Sequence, residues 1–203
     1  MAAFHVSRET EQDLKRYQAL LLKWNRRINL ISRTETEDIF RRHFEDSLQI
    51  IDYLPEDMHS LVDLGSGAGF PGLVLAMALK SRPELHVTLI ESNGKKCAFL
   101  REAARSCGLS VTVLNTRIEQ AAERLIKADV ITSRALASLD KLLDLAYPLL
   151  AEGGICVFHK GQYVDDELTD ASKYWNMSVE KRTSRTDPTG TILILRQLDP
   201  KRR

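Results

Sequence analysis

Three cysteines in 203 residues are few and odd in number, and Cys97, Cys107 and Cys156 form no C-x-x-C pair. No disulfide framework is expected, and the pattern fits a reducing, cytoplasmic compartment. Long apolar runs are missing as well. The longest falls well short of a membrane span, and the opening MAAFHVSRETEQ has no apolar h-region, so neither a membrane contact nor a secretory signal is expected. Metal ligands do not gather: near His43 there is one carboxylate at ligand spacing, Asp46, which is too small a set for a metal. Internal repeats and low-complexity stretches are absent. Formal net charge is only +1, so whole-chain charge argues neither for nor against nucleic acid. The length suits one α/β domain with a small appendage, able to bury roughly 70% of its unfolded surface. We expect a helical extension over residues 1–54 and the main domain over 55–203.

What is present centres on LVDLGSGAGFPG, Leu61 to Gly72. A short apolar run stops at Gly65, Gly67 and Gly69, and after Pro71 and Gly72 an apolar helical run extends from Leu73 to Leu79. That is strand, tight turn, helix. The glycines allow a sharp bend and close approach of a ligand, Pro71 suits a first helical turn, and the N–H groups there favour an anionic or carboxylate group. Two patterns overlap. Gly67 to Gly72 fits the dinucleotide fingerprint G-x-G-x-x-G. Asp63 to Gly69 fits D-x-G-x-G-x-G, which resembles the first motif of S-adenosylmethionine-dependent methyltransferases, and Asp63 tilts the choice that way. A second strand, His86 to Ile90, ends at Glu91, placed to accept hydrogen bonds from both hydroxyls of a ribose.

Along the rest of the chain, apolar residues at Leu14, Tyr17, Leu21, Trp24, Ile28 and Ile31 predict an amphipathic helix, with Thr10 and Asp13 as a capping box variant. No acid occurs from Leu14 to Thr34, while Lys15, Arg16, Lys23, Arg26, Arg27 and Arg33 supply six positive charges. A second helix is expected from about Glu35 to Tyr53, with Phe40, Phe44, Leu48 and Ile51 on its apolar face. His43, Asp46 and Ser47 lie on the adjoining flank. Further strands are predicted at 111–114, 128–132 and 155–158, alternating with helices at 95–107 and 139–150, and Gly108 sits where a helix-ending glycine belongs. Such alternation means a parallel sheet with right-handed crossovers. The end differs: strands at 177–182 and 191–197 flank the turn Asp187-Pro188-Thr189-Gly190. From Lys181 onward seven basic residues face two acids, a surplus that is either a solvated terminus or a phosphate contact.

WNRRINLIS, HFEDSL, VDLGSGAGFPG, LIES, TRIEQ (Thr116 to Gln120), TSRA (Thr132 to Ala135) and FHKG (Phe158 to Gly161) together resemble the bacterial RsmG (GidB) family, small-subunit ribosomal RNA guanine-N7 methyltransferases. The resemblance spans Leu14 to Gly161 in order. It implies a class I methyltransferase fold: Rossmann-like α/β, a mostly parallel seven-stranded sheet with a C-terminal antiparallel hairpin, and an N-terminal helical extension. It implies methyl transfer from S-adenosyl-L-methionine, leaving S-adenosyl-L-homocysteine, to N7 of a guanine in 16S ribosomal RNA, in the decoding-region loop of a small subunit or assembly particle. A monomer in the cytoplasm, with no metal and no membrane, is expected.

The same resemblance implies cofactor contacts at Gly65, Phe70, Ile118, Glu119 and Arg134, beside Asp63, Gly67, Gly69 and Glu91 of the glycine turn and second strand. Each has a physical reason: Gly65 admits the ligand, Phe70 packs on it, and Ile118 with Glu119 offers adenine a wall and an acceptor. Arg134 stands at the carboxyl edge of a strand, where open sheets bind ligands. For the target base, His43, Asp46, Ser47, Arg134 and Lys160 are expected to line a pocket as positioners. Guanine N7 carries a lone pair and no proton, so no general base is required. Absences agree. TSRA holds no D-P-P-Y-like run for an amine target, and no Pro-Cys pair exists for carbon-5 chemistry. A small-molecule methyltransferase, an RNA-binding regulator with a vestigial site and an NAD-dependent oxidoreductase remain alternatives on the residues alone.

Overall fold

Alternation along the strands sets the layers. Leu61, Leu89, Val130, Val157 and Ile194 lie in one buried cluster, and their successors Val62, Ile90, Ile131, Phe158 and Leu195 lie in the other, on the opposite side of the sheet. The computed structural model describes residues 6–32, 36 and 38–201. Seven strands, β1 (Ser60–Leu64), β2 (His86–Glu91), β3 (Val111–Asn115), β4 (Ala128–Arg134), β5 (Leu150–Lys160), β6 (Trp175–Thr183) and β7 (Thr191–Pro200), run in the order β3-β2-β1-β4-β5-β7-β6. All pairings are parallel up to β5, and β7 is antiparallel to both its neighbours. This is the expected mostly parallel sheet with a closing hairpin. Helices α1 (Arg8–Asn25), α3 (Gly72–Ala78) and α4 (Gly94–Ser106) contribute to the first cluster, α5 (Leu139–Ala146) and α6 (Val164–Ala171) to the second. The N-terminal helices therefore share a core with the glycine-turn helix.

Several elements depart from the sequence reading for physical reasons. Helix α1 starts earlier than expected: Ser7 is its N-cap, accepting at Oγ from the Thr10 N–H at 3.1 Å, and Asp13 instead pairs with Arg16 and Lys80. It ends at Asn25, whose Oδ1 accepts from the N–H groups of Leu30 (2.8 Å) and Ile31 (3.0 Å) and folds the chain back. Ile28 and Ile31 then reach the core from a loop. The second helical stretch is composite: a π-helical turn (Phe40–Glu45), one α turn, α2 (Asp46–Leu48), and a 3₁₀ turn (Gln49–Tyr53). The wider π register leaves Phe40 exposed and buries Ile39 instead. Glu35, where the second helix is expected to begin, lies outside the described residues, as do Arg33 and Thr34.

Farther on, α5 stops at Ala146, and Pro148, which has no N–H to donate, sits in a 3₁₀ turn. Strand β5 starts at Leu150, ahead of Gly153-Gly154, and takes both in a bulge: the register jumps from Ala128↔Leu150 to Val130↔Ile155. Helix α6 has no counterpart in the sequence reading, because its apolar signal is only Val164, Leu168 and Ala171 among acids. Helix α4 ends as expected in a Schellman motif: Gly108 takes φ +60°, its N–H donates to Arg105 and that of Leu109 to Ala104.

Candidate active site

Connections from β1 lead outward to β2 and β3 on one side, and β4 and β5 lie on the other, so the carboxyl ends of β1 and β4 flank the switch point where open α/β sheets hold ligands. The glycine turn leaves β1 there. Gly65, Gly67 and Gly69 all take positive φ (+66°, +56° and +99°), a conformation that a β-carbon disfavours. Gly72 is needed for another reason: a Cβ on it would come within 2.4 Å of Leu89 Cδ2 and 2.8 Å of Asp63 Oδ2, so α3 could not pack this closely. Asp63 is wholly buried beside it and accepts from Thr132 Oγ at 2.9 Å. Burial raises its carboxyl to about 6, against the opposing hydrogen bonds of Ser66, Thr132 and Gly72 and the charge of Arg134.

A cavity of about 330 Å³ opens above the turn. Gly65, Gly67, Glu91, Ile118, Glu119 and Arg134 line it, together with Lys96 and Leu136. Both oxygens of Glu91 face the turn and the α4 start: Oε2 accepts from the Gly67 N–H at 3.0 Å and Oε1 from the Asn93 N–H at 2.7 Å. Each oxygen retains a second lone pair for a hydroxyl. Leu136 lies over Gly65, where a Cβ would meet its Cδ1 at 2.6 Å, on a loop that turns at Ala135 with φ +50°. Asp63, Gly69 and Phe70 do not line this cavity. A Cβ on Gly69 would strike Leu73 and Tyr17, so that glycine serves packing. Phe70 stacks on the His43 ring, centroids 4.5 Å apart, and lies 5.5 Å from the Arg134 guanidinium carbon.

A larger, polar cavity of about 1000 Å³ adjoins the first, and the two share Arg134, Ala135, Leu136 and Ala137. Its wall is held by Asp46. Oδ2 lies 3.2 Å from Arg134 Nη1 and 3.5 Å from His159 Nε2; Oδ1 accepts from Gln49 Nε2 (2.8 Å) and Thr186 Oγ (2.7 Å). Arg134 also donates to the Arg42 carbonyl at 3.1 Å and to His43 Nδ1 at 2.5 Å, so that nitrogen carries the lone pair. His159 donates from Nε2 to the Asp46 carbonyl at 2.8 Å, and burial pulls its pKa below the usual histidine value, with Asp46 opposing. Burial thus favours the neutral ring, whose Nδ1 is buried without a hydrogen-bond partner among the described residues. Lys160 anchors the Ala135–Ser138 loop by donating to the Ala137 carbonyl at 2.9 Å and pairing with Glu167 at 2.5 Å, and the same Glu167 oxygen accepts from the Leu139 N–H at the head of α5.

Asp46, Arg134 and Lys160 thus line the larger cavity, while His43 and Ser47 stand one layer behind it. Both are buried, and Ser47 Oγ bonds back to the His43 carbonyl at 2.6 Å. Nothing in the sequence singles out His159 or Thr186. His159 is next to Lys160, but adjacent strand residues ordinarily face opposite sides, and Thr186 sits in a turn 140 residues from Asp46. Much of the C-terminal basic surplus is paired within the chain: Lys181 with Asp165, Arg182 and Arg196 with Glu180, Arg185 with Asp52. Arg202 and Arg203 lie outside the described residues. No group of three or more histidines, cysteines and carboxylates that could hold a metal ion occurs among the described residues, and no described helix is long and apolar enough to cross a membrane.

Sheet order, glycine turn and an acid-tipped β2 beside a nucleoside-sized cavity define a class I methyltransferase. Solved structures agree at the level of fold. One from Listeria monocytogenes, described as a class I S-adenosylmethionine-dependent methyltransferase, superposes with a TM-score of 0.64 at 13% identity, covering 96% of this chain and 71% of that one. A precorrin-6y C5,15-methyltransferase from Geobacter metallireducens gives 0.53 at 16%, covering 82% and 90%. The model of the GidB family, rRNA small subunit methyltransferase G, matches residues 10–190. The ribosomal RNA small subunit methyltransferase G of Rhodospirillum centenum is 53% identical over 200 residues, covering 98% of this chain and 90% of that protein. Its counterpart in Paramagnetospirillum magneticum is 51% identical, covering 95% and 91%. The chain belongs to the GidB family, whose resemblance its motifs carry.

Proposed function

We propose that the chain transfers a methyl group from S-adenosyl-L-methionine to N7 of a guanine in 16S ribosomal RNA, in the decoding-region loop of a small subunit or assembly particle. The observation that carries this reading is the pair of cavities meeting at Arg134, Ala135, Leu136 and Ala137, one nucleoside-sized and lined by the glycine turn, the other larger and polar. Family membership supplies the RNA class. The reading includes a monomer working in the cytoplasm. Residues 1–54 act as an extension that walls the base side through Asp38, Arg41, Arg42 and Asp46, and residues 55–203 form the cofactor-binding domain.

The residues of the smaller cavity fit S-adenosylmethionine, which supplies an electrophilic methyl group when bound. Glu91 accepts from the ribose hydroxyls, Ile118 and Leu136 give the adenine apolar walls, and Glu119 offers an acceptor. Gly65 and Gly67 let the ligand approach the backbone. Asp63, Gly69 and Phe70 act one step back: Asp63 and Gly69 fix the turn, and Phe70 packs between His43 and Arg134. On the base side, Asp46 and His43 hold the Arg134 guanidinium, while Lys160 fixes the loop between the cavities. These groups orient the guanine so that N7 lies in line with the methyl group, and such placement alone can supply much of the rate. N7 has no proton to give, so neither His159 nor the paired Asp46 has one to carry away.

The test is methyl transfer from labelled S-adenosylmethionine to small subunits isolated from a strain lacking the gene, followed by nuclease digestion. Label in 7-methylguanosine is expected. Label in another nucleoside, or none, contradicts the proposal.

A further inference from the structure

The two groups of basic residues end differently. Lys181, Arg182, Arg185 and Arg196 are neutralised by acids of the same chain. Lys23, Arg27 and Lys95 are exposed, and among the described residues none of them is in an ion pair. Together they ring an apolar recess of about 360 Å³, whose remaining lining is Trp24, Ile28 and Ala98. Trp24 and Ile28 are half-buried and Ala98 is exposed. Among the described residues, no carboxylate lines the recess.

Its position follows from two helices. Lys23, Trp24 and Arg27 come from the last turn of α1 and the residues just past it; Lys95 and Ala98 come from the first turns of α4. The Trp24 indole is set edge-on against Phe99, centroids 5.8 Å apart, so the ring is fixed from below by the core. The next residue after Lys95, Lys96, lines the cofactor cavity. The recess and the cavity thus lie on two sides of the first turn of α4, with consecutive Cα atoms only about 3.8 Å apart.

We infer that this recess is a second nucleobase site, taking an unstacked base of the RNA substrate away from the methylated guanine. The inference rests on the RNA reading above. A flat apolar ring with phosphates on either side is the complement of an anchored indole inside a cationic ring that lacks acids. Single-stranded RNA is recognised by such stacking on aromatic and Arg planes combined with phosphate contacts. The recess is about as large as the nucleoside-sized cavity, so it has room for a base with its sugar, and the phosphates stay outside, where the three cations stand. A strand entering the transfer site over α4 would place one nucleotide in each depression.

Two variants test it on the full chain. W175F leaves Trp24 as the sole tryptophan, since Trp175 lies buried in the other cluster against Tyr147. A98E fills the recess from an exposed helical position and sets a carboxylate among its three cations. Single-stranded RNA of the decoding loop should quench Trp24 emission in W175F saturably, at about tenfold lower concentration than an abasic strand of equal length. A98E should raise KM for small subunits about tenfold with kcat and S-adenosylhomocysteine affinity unchanged. RNA that binds without altering Trp24 emission, equal quenching by the abasic strand, or a wild-type KM in A98E overturns the base site. A wild-type protein that methylates no RNA contradicts the substrate reading itself, a failure distinct from these.

Discussion

The smaller cavity, proposed for the cofactor, and the larger one, proposed for the base, are built in different ways. On the cofactor side most of the geometry is backbone: three glycines at positive φ, an N–H from Gly67 and another from Asn93 on Glu91, and the bare Cα of Gly72 against Asp63. Most of its residues come from short, contiguous motifs at strand ends. On the base side the geometry is side chain upon side chain: Asp46 gathers Arg134 from β4, His159 from β5 and Thr186 from the turn before β7. A backbone site is fixed by local conformational demands, whereas a side-chain site depends on distant segments arriving in register. The first tolerates few residue types; the second fails when one partner of a desolvated network is removed.

The sharpest way to break this contrast is Arg134, among the described residues the one charged residue on both walls. R134A should lower kcat/KM for small subunits on the order of 10³-fold, because it removes the shared wall and leaves the Asp46 carboxylate without its guanidinium. R134K should not restore the rate, since Lys cannot reach Asp46, His43 and the Arg42 carbonyl at once. Steady-state kinetics against both substrates decides this, and a tenfold loss or less would reduce Arg134 to a bystander.

Asp63 tests the backbone side through stability. Its carboxyl stays protonated in the fold up to about pH 6, against 3.8 for the ordinary group. Between those values the folded state holds the extra proton, so stability falls as pH rises and levels off above pH 6. Relative to D63N, the wild type should lose about 3 kcal/mol across that window. Denaturant unfolding at pH 4 and pH 7 measures the difference, and an unchanged gap between the two proteins would remove the buried-carboxyl account.

Smaller and more local, E91A should weaken S-adenosylhomocysteine by roughly 1–3 kcal/mol, the range for a charge-assisted hydrogen bond. Affinity for RNA should stay as it was. Calorimetry and filter binding on the same preparation separate the two, and coupled losses in both would mean that the turn, not the ribose, depends on Glu91. Smallest of all is the effect expected of pH on transfer. The single-turnover rate at saturating substrates should be nearly flat between about pH 6.5 and 8, and H43N should be slower with the same flat profile. A rate rising tenfold per pH unit in the wild type and losing that slope in H43N would reinstate a histidine base.

The contrast also explains what could be read in the chain. Strand, turn and helix from Leu61 to Leu79, the acid at Glu91 and the end of α4 at Gly108 follow local rules of φ, capping and periodicity, and they stand where expected. The sequence marks Asp46, Arg134 and Lys160, but as a group without a geometry. The role of Asp46 as a hub depends on Gln49 and Thr186, and Thr186 lies in a turn whose residue types point only to a bend. His43 and Ser47 were expected at the cavity surface and lie behind it, because the π-helical turn shifts the register that a regular helix would impose. Helix α6, which supplies Glu167 to Lys160, has too few apolar residues to signal itself.

Methyl placement on the ribosome tests the central claim most directly. Chemical cleavage at 7-methylguanine, read by primer extension along 16S RNA, would be compared between a strain lacking the gene, the same strain carrying the wild-type chain, and the same strain carrying R134A. The account predicts one stop in the decoding-region loop that vanishes with the gene, returns with the wild type and stays absent with R134A. A stop that persists without the gene, or that R134A restores in full, would contradict it.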